Sequence, residues 1–394
     1  MGHSHGGHGH RSSPRVRLIL AAAVVPFVLA TLAGLVVYWP AHQHHNTGGR
    51  LSAPAVQLVH GTVTKVATKR CQPDNSLCSD IDVHLTSGPE KGQPTTLTNV
   101  EFGPGVPRLD PGDHIVLGRD DSGGELTYYF ADFQRGTPLL LLAFLFAVLA
   151  VVIARWRGAA AIVGLFLAWL ILVRFVLPAL VEGKSPLGVA LTASAAIMLV
   201  VLYVAHGMNA RTTTALLGTL ASLALTGVLA EVFVSATHLI GTSSDETTAL
   251  QSLLGNIDFQ GLLLAGILIG SLGVLNDVTV TQASAVWEIH DANPTRGAID
   301  LFRSGMRVGR DHIASTVYTL VLAYAGAALP LLILFTLTFR HVGDVLTSET
   351  VAEEIVRSLV GSIGLIASVP ITTALAALVV TRGGEPELSA ADVP

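Results

Sequence analysis

Long apolar runs, separated by short polar segments, occupy most of this chain. A helix needs about 20 mainly apolar residues to cross a bilayer, and eight runs approach or exceed that length. They cover residues 18–39, 138–154, 159–181, 187–206, 214–240, 261–281, 313–338 and 355–380. The pattern predicts an α-helical polytopic membrane protein with about eight transmembrane helices, the first being a signal anchor.

Residues 50–135 follow a different pattern, in which short runs rich in Val and Thr alternate with polar residues and are interrupted by Gly, Pro and Asp. Alternation of this kind predicts β-strands. Five such runs predict a small all-β domain between the first and second helices, either an OB-like barrel or a sandwich. Its surface is neither aromatic nor basic, so we expect no binding of nucleic acid.

Within the membrane domain, residues 137–380, we predict seven helices and one interfacial helix at 295–310. Asn293-Pro294 ends the preceding helix, and apolar residues then recur at helical spacing while Arg303, Arg307 and Arg310 share the polar face. We expect Gly305 and Gly309 to allow close packing on another helix. Residues 381–394 are predicted to form a disordered cytoplasmic tail.

Composition supports a membrane location. Hydrophobic residues make up 51% of the chain, charged residues 13%, and the mean hydropathy is +0.59. Cytoplasmic loops of membrane proteins carry an excess of Lys and Arg, and here the arginines fall mostly on one side. We therefore predict a multi-pass protein of the plasma membrane, embedded in the lipid bilayer. Both termini are expected to be cytoplasmic and the β domain extracytoplasmic.

Only two cysteines occur, Cys71 and Cys78, and both lie in the β-patterned segment. In an extracytoplasmic domain they are expected to form a disulfide that closes a short loop. The alternative is two unpaired thiols.

The N-terminal tail, residues 1–17, is rich in histidine. His3, His5, His8 and His10 are candidate ligands for a divalent metal ion such as zinc or nickel. The alternative is a disordered polar tail with only incidental affinity, because unfixed imidazoles bind metal with poor geometry. No cofactor is expected.

The stretch 259–290 is the strongest candidate site. It begins as an apolar helix and becomes polar at Asn276-Asp277 without a turn signal. Polar residues continue from there at helical spacing, so a helix places several of them on one face. The candidate binding residues for a solute or ion in this stretch are Asn276, Asp277, Thr281, Gln282, Ser284 and Glu288. The structural alternative for Asp277 is a buried side chain that caps a broken helix or pairs with Arg307 or Arg310.

An internal repeat extends the candidate site. Residues 268–283 and 359–374 share a Gly-Ser-x-Gly motif and matching Val, Thr and Ala positions. Asn276-Asp277 is expected to interrupt the first helix, and Ser368 with Pro370 the second, at the same depth. Paired interruptions are typical of a transporter's binding region. The alternative is a likeness that arises from shared composition alone.

Two further ionisable residues, Arg174 and Glu231, lie within predicted spans at similar depth. A charge near the centre of the bilayer costs about 3 kcal/mol or more, so each needs a partner or a wet cavity. We hypothesise that the two form an ion pair. The alternative is that Arg174 extends outward to the membrane surface.

Three segments of the chain resemble the YibE/F-like family of bacterial integral membrane proteins: 266–289, 305–332 and 351–378. The resemblance covers roughly residues 130–380 and implies a multi-pass protein of permease type, with no established substrate or reaction. It also marks Asp277, Glu288, Asn293 and Pro294 as site candidates, together with Gly309, Arg310 and Asp311. We expect Arg310 and Asp311 to fix the junction between the interfacial helix and the following span.

Two functions from different classes fit these features. The first is a secondary transporter or permease for a small solute or ion, with its site around Asp277. The second is a membrane scaffold or signalling component whose β domain binds a partner. No HExxH, GxSxG or phosphate-loop motif is present, so we do not expect an enzyme. The oligomeric state is open, and residues 241–257 fit either a surface helix or a re-entrant element.

Overall fold

The computed structural model describes residues 14–41, 57–71, 77–101, 108–121, 126–254, 257–337 and 341–383. The predicted metal ligands His3, His5, His8 and His10 lie outside these residues, as does nearly all of the C-terminal tail. The described chain is mostly helical and divides into two compact units. One comprises residues 44–153, and the other comprises residues 1–43 and 154–394.

All five described strands lie together in the chain, between the first and the second helix. The first unit contains β1 (Gln57–Arg70), β2 (Leu77–Leu85), β3 (Pro94–Glu101), β4 (His114–Asp120) and β5 (Thr127–Phe133). The helices are α1 (Pro14–Tyr38), α2 (Gly136–Ile171), α3 (Leu177–Val181), α4 (Pro186–His206), α5 (Ala210–Ala236), α6 (Asp245–Leu254), α7 (Phe259–Ala292), α8 (Ala298–Ala327), α9 (Leu329–Leu337), α10 (Val342–Leu346) and α11 (Glu349–Gly383). A π-helical turn, Leu172–Val176, joins α2 to α3.

The five strands form one antiparallel sheet in the order β3-β2-β1-β4-β5, curled into a half-barrel. The described strands do not form two stacked sheets, so the predicted sandwich is wrong. The predicted OB-like barrel is closer to the half-barrel that they form. Alternate residues of β1, such as Val59 and Val63, point into a core shared with Ile81 and Ile115. A disulfide joins Cys71 to Cys78 at the end of β1 and the start of β2.

A polar cluster closes one side of the sheet. Arg119 on β4 donates hydrogen bonds to both carboxylate oxygens of Glu90, at 3.2 and 3.0 Å, and Tyr128 on β5 donates to the same carboxylate at 3.0 Å. The Arg119 guanidinium holds the pKa of Glu90 below its ordinary value. Burial, followed by the neighbouring Glu90, raises the pKa of Tyr128. The loop that carries Glu90 is thereby tied to two strands.

Six of the described helices are long and apolar enough to span a membrane, and the bent pair α8 and α9 makes a seventh if it counts as one span. Two predicted spans, 138–154 and 159–181, fall in one helical run whose regular geometry is interrupted at Arg155, where φ is 54°. The mostly helical class, with several candidate membrane spans and a separate β unit, is confirmed. The count of eight spans stays a prediction.

Three of the described helices, α4, α5 and α7, begin where the sequence supplies a side chain to cap them. Ser185, Asn209 and Asp258 each accept a hydrogen bond from the backbone N–H three residues later. Such caps satisfy backbone groups that otherwise lack a partner at a helix start. Asn293 and Pro294 end α7, as predicted. Residues 245–254 form a short helix, α6.

Small residues let the central helices α5, α7 and α11 approach one another closely. A Cβ at Gly218 of α5 would overlap Thr372 of α11, and one at Gly364 of α11 would overlap Thr226 of α5. Close approach of this kind is the main source of helix association where no hydrophobic effect operates. Leu268 and Leu275 of α7 are fully buried in the core on the α4 and α5 side.

The predicted helix interruptions are absent. Asn276 and Asp277 lie within the continuous helix α7, and Ser368 and Pro370 lie within the continuous helix α11. A broken helix exposes backbone N–H and C=O groups, and each unsatisfied group costs several kcal/mol in lipid. Asn and Asp inside a helix cost only about 0.7 kcal/mol each relative to Ala, so continuing the helix is the cheaper solution.

No separate interfacial helix exists at 295–310. These residues form the loop before α8 and its first half, and α8 runs on without interruption to Ala327. Gly305 and Gly309 face α7 and α11, where an added Cβ would overlap Val286 and Val369 respectively. The apolar face of this segment therefore packs against helices, not against the membrane surface. Arg310 and Asp311 are exposed in mid-helix and fix no junction.

Candidate functional site

The polar face of α7 points away from the helical core. Asp277, Thr281 and Glu288 are exposed and Ser284 is half-buried, so the predicted stripe exists as a face of one helix. The Thr281 hydroxyl donates to the backbone carbonyl of Asp277, which leaves the Asp277 carboxylate available to other groups. Asn276 is half-buried, and its Oδ1 has no hydrogen-bond partner.

His312 on α8 lies beside Asp277. Its Nε2 is 3.9 Å from the Asp277 carboxylate, and its side chain is 35% exposed against 66% for Asp277. The same Nε2 has no hydrogen-bond partner. The pair joins α7 to α8 and places an ionisable base next to an ionisable acid. No local sequence pattern points to His312, because its contact with Asp277 joins residues 35 positions apart on two different helices.

Gln282 lies on the opposite, buried face of α7. Its Nε2 donates to the backbone carbonyl of Gly305 on α8 at 2.8 Å and to the hydroxyl of Thr373 on α11 at 2.7 Å. On the α5 side, the hydroxyls of Thr219 and Thr279 are 2.6 Å apart. We call these residues the polar seam. It ties four helices together and lies apart from Asp277.

The two copies of the repeat meet in the structure, although not at Asp277. Val278 and its repeat equivalent Val369 pack in one cluster. Asp277 faces outward, whereas its equivalent Ser368 is buried and donates to the carbonyl of Leu365. Pro370 lies in α11 and contributes no hydrogen bond to the candidate site. The structure thus separates the predicted site residues into an outward set on the polar face of α7 and an inward set that includes Gln282 of α7 and Ser368 of α11.

The sequence profile of the family described as YibE/F-like protein matches residues 142–382, more than half of the chain. The chain belongs to the YibE/F-like family. No curated protein and no solved structure matches it. Asp277, Gln282, His312 and Thr373 all fall within the matched range, whereas the β unit precedes it.

Arg174 and Glu231 of this YibE/F-like protein do not pair. Both side chains are exposed, and the ion pairs found in the described part of the chain do not include them. Arg174 falls in the π-helical turn. Similar depth along two helices therefore did not place the two side chains on facing surfaces.

Among the described residues of the YibE/F-like chain, no group of three or more His, Cys, Asp or Glu side chains is arranged to hold a metal ion. The groups that lie beside each other at Asp277 are a carboxylate and an imidazole. These groups bind or transfer a proton, or pair with a cation.

Proposed function

We propose that this YibE/F-like protein is a secondary transporter, a permease for a small solute or ion, and that its transport is coupled to proton exchange at Asp277 and His312. The observation that carries the proposal is the 3.9 Å approach of the His312 imidazole to the Asp277 carboxylate. Asp277 lies on α7, which is long and apolar enough to span a membrane, and His312 lies on α8, which meets that criterion together with α9. Carboxylate and histidine groups inside membrane domains mark proton relays in pumps and transporters.

The depth of the pair suits this role. Asp277 follows Phe259, the first residue of α7, by 18 positions, which corresponds to about 27 Å along a helix. The hydrocarbon core is about 30 Å thick, so a helix that starts at one boundary brings Asp277 close to the other. Under the predicted orientation this boundary is the cytoplasmic one. An ionisable pair at this boundary can exchange protons with water.

The test is proton movement in proteoliposomes that contain a pH-sensitive dye. Gradients of Na⁺, K⁺ and a panel of small organic ions are imposed in turn on the full-length protein. We expect at least one gradient to drive a pH change with wild type, and Asp277→Asn and His312→Gln to reduce its rate at least tenfold. Asp291→Asn, which removes an exposed carboxylate from the same helix, serves as the matched control.

Retention of the wild-type rate in Asp277→Asn would rule out the proposed role of the pair.

The second candidate function, a scaffold whose β domain binds a partner, is favoured by the separation of residues 44–153 as a compact unit. A scaffold predicts that removing residues 50–135 abolishes the cellular phenotype while Asp277→Asn is silent. A transporter predicts loss of the phenotype in Asp277→Asn.

A further inference from the structure

A cavity of about 510 Å³ lies at the end of the helical unit where α11 begins. Its walls come from the first half of α7, the segment around α3, the loop that follows α5 and the first two turns of α11. Leu177, Leu180, Leu262 and Ile269 contribute apolar surface to one side. Ser243 and Thr247 contribute hydroxyl groups, and that of Ser243 lies beside the Glu353 carboxylate. The cavity volume lies in the range of pockets that hold small organic molecules.

Glu353 is the unexplained residue of this cavity. It is only 8% exposed, it contributes to the cavity wall, and its Oε1 has no hydrogen-bond partner. The nearby Glu349, by contrast, has a structural role, since it accepts hydrogen bonds from the backbone N–H groups of Ile240 and Gly241 at 2.9 and 3.2 Å. A buried carboxylate oxygen without a partner is costly and is found where a ligand supplies the missing group.

The other charged groups of the wall offset each other. Glu354 and Arg357 both line the cavity, and Arg357 lies 3.6 Å from the Glu354 carboxylate. Two carboxylates, those of Glu353 and Glu354, therefore share the wall with one guanidinium, whose Nε has no hydrogen-bond partner. The wall carries a net negative charge, which disfavours an anionic ligand and favours a cationic one.

The size of the cavity and the chemistry of its wall indicate which kind of cation fits. A cavity of about 510 Å³ is far larger than a bare metal ion, and no three-ligand metal group exists among the described residues. Apolar walls do not stabilise a hydrated ion, whereas burial of a ligand's apolar surface against them is favourable. A small organic cation fits both features, because its ammonium group can pair with the carboxylate and its apolar body can pack against the leucines.

We propose that this cavity binds an organic ammonium ion, with Glu353 as its counter-ion and the α3 and α7 side chains enclosing its apolar part. The inference deepens the proposed function and rests on it for the step from binding to transport. Two sources supply this chemistry: a free organic amine and the ammonium group of an aminated lipid.

The test is calorimetric titration of the full-length protein in neutral maltoside detergent at pH 7, with benzylammonium and cyclohexylammonium as probes and benzoate as the anionic counterpart. We expect saturable binding of both ammonium ions and none of benzoate. Glu353→Gln should weaken the binding at least tenfold. Glu231→Gln, which removes an exposed carboxylate that does not line the cavity, should leave it unchanged.

A second pair of variants probes the volume of the cavity. Gly266 lines it, and a Cβ there would meet no atom within 4 Å. Gly266→Leu is therefore expected to fold and to abolish binding by occupying the space. Gly273→Leu on the same helix also meets open space at its Cβ but lies off the cavity wall, so it is the matched control. Equal binding of benzoate, or wild-type binding in both Glu353→Gln and Gly266→Leu, overturns the proposal.

Nanodiscs of defined lipid composition distinguish a free organic amine from an aminated lipid as the natural ligand. In discs of phosphatidylglycerol alone, the ammonium probes should bind as in detergent. If added phosphatidylethanolamine displaces them, a lipid ammonium group is the natural occupant; if it does not, a free amine is. Ammonium binding without proton exchange would count against the transport role alone. Proton exchange without ammonium binding would count against this site alone.

Discussion

Gln282 donates a hydrogen bond of 2.7 Å to Thr373, the residue that occupies its equivalent position in the second copy of the internal repeat. Gln282 is the 15th residue of 268–283, and Thr373 is the 15th of 359–374. Both side chains are buried. The repeat thus acts as a packing device, in which two similar helices, α7 and α11, meet through matching positions.

The Gln282–Thr373 contact should contribute measurably to stability. Hydrogen bonds between membrane helices are worth about 0.6 kcal/mol on average and up to about 1.7 kcal/mol. A double-mutant cycle with Gln282→Met and Thr373→Val should therefore give a coupling energy in this range, measured by unfolding in mixed micelles. Thr281→Val, on the exposed face of α7, is the control and should change stability little. A coupling energy near zero would contradict the contact.

Close packing at Gly309 yields a prediction about a single methyl group. Gly309→Ala should destabilise the protein by about 1–3 kcal/mol, because the new Cβ overlaps Val369. Gly273→Ala should instead be neutral or stabilising, since its Cβ meets open space and Ala favours the helix by up to about 1 kcal/mol. Val369→Ala should restore part of the stability lost in Gly309→Ala. Equal effects at the two glycines would exclude the close approach of α8 to α11.

The stability of the β unit should depend on pH through Glu90. Arg119 lowers the pKa of Glu90 in the folded state, while in the unfolded chain the group titrates near its ordinary value of 4.5. The stabilisation is therefore complete above that value and is lost as pH falls through the lower folded-state pKa. Hydrogen-exchange protection of β4, corrected for intrinsic rates, should fall over this range in wild type.

Glu90→Gln should remove that component of the pH dependence. Glu101→Gln, at the exposed end of β3, should leave it in place. If the two variants give the same pH profile as wild type, the contact between Glu90 and Arg119 does not control the stability of the sheet.

The disulfide provides a test of the predicted orientation. Disulfides persist in oxidising compartments, so Cys71 and Cys78 should resist thiol labelling in whole cells until a reductant is added. Replacing both by Ser should lower the stability of the β unit by roughly 2–3 kcal/mol, as expected for a loop this short. Immediate labelling without reductant would place the β unit on the cytoplasmic side.

Local sequence patterns were sufficient for the strands and for most helices. The alternation around Val59 and Val63 identified β1, because burial on one face requires a period of two residues. Asn293-Pro294 identified the end of α7, because Pro disfavours a helical conformation at the residue before it. These signals act over a few residues and do not depend on the partners of each element.

The site depended on distant contacts, and here the sequence was a weaker guide. The polar stripe on α7 was identified, but nothing in the sequence near Asp277 indicates that His312 approaches it. The expected pairing of Arg174 with Glu231 failed because depth along a helix does not fix the direction in which a side chain points. Glu353 was overlooked because, by sequence, it is one of several acidic residues at a helix start.

Pro370 has a mechanical consequence. Proline has no N–H, so the carbonyl of Ile366 lacks its usual helical hydrogen bond in the middle of α11. Bending is easiest where this ladder is incomplete. Since α11 packs on α5, α7 and α8, a bend at Pro370 would alter its contacts with all three helices. Thr373, the partner of Gln282, lies three residues after Pro370, whereas Glu353 lies 17 residues before it.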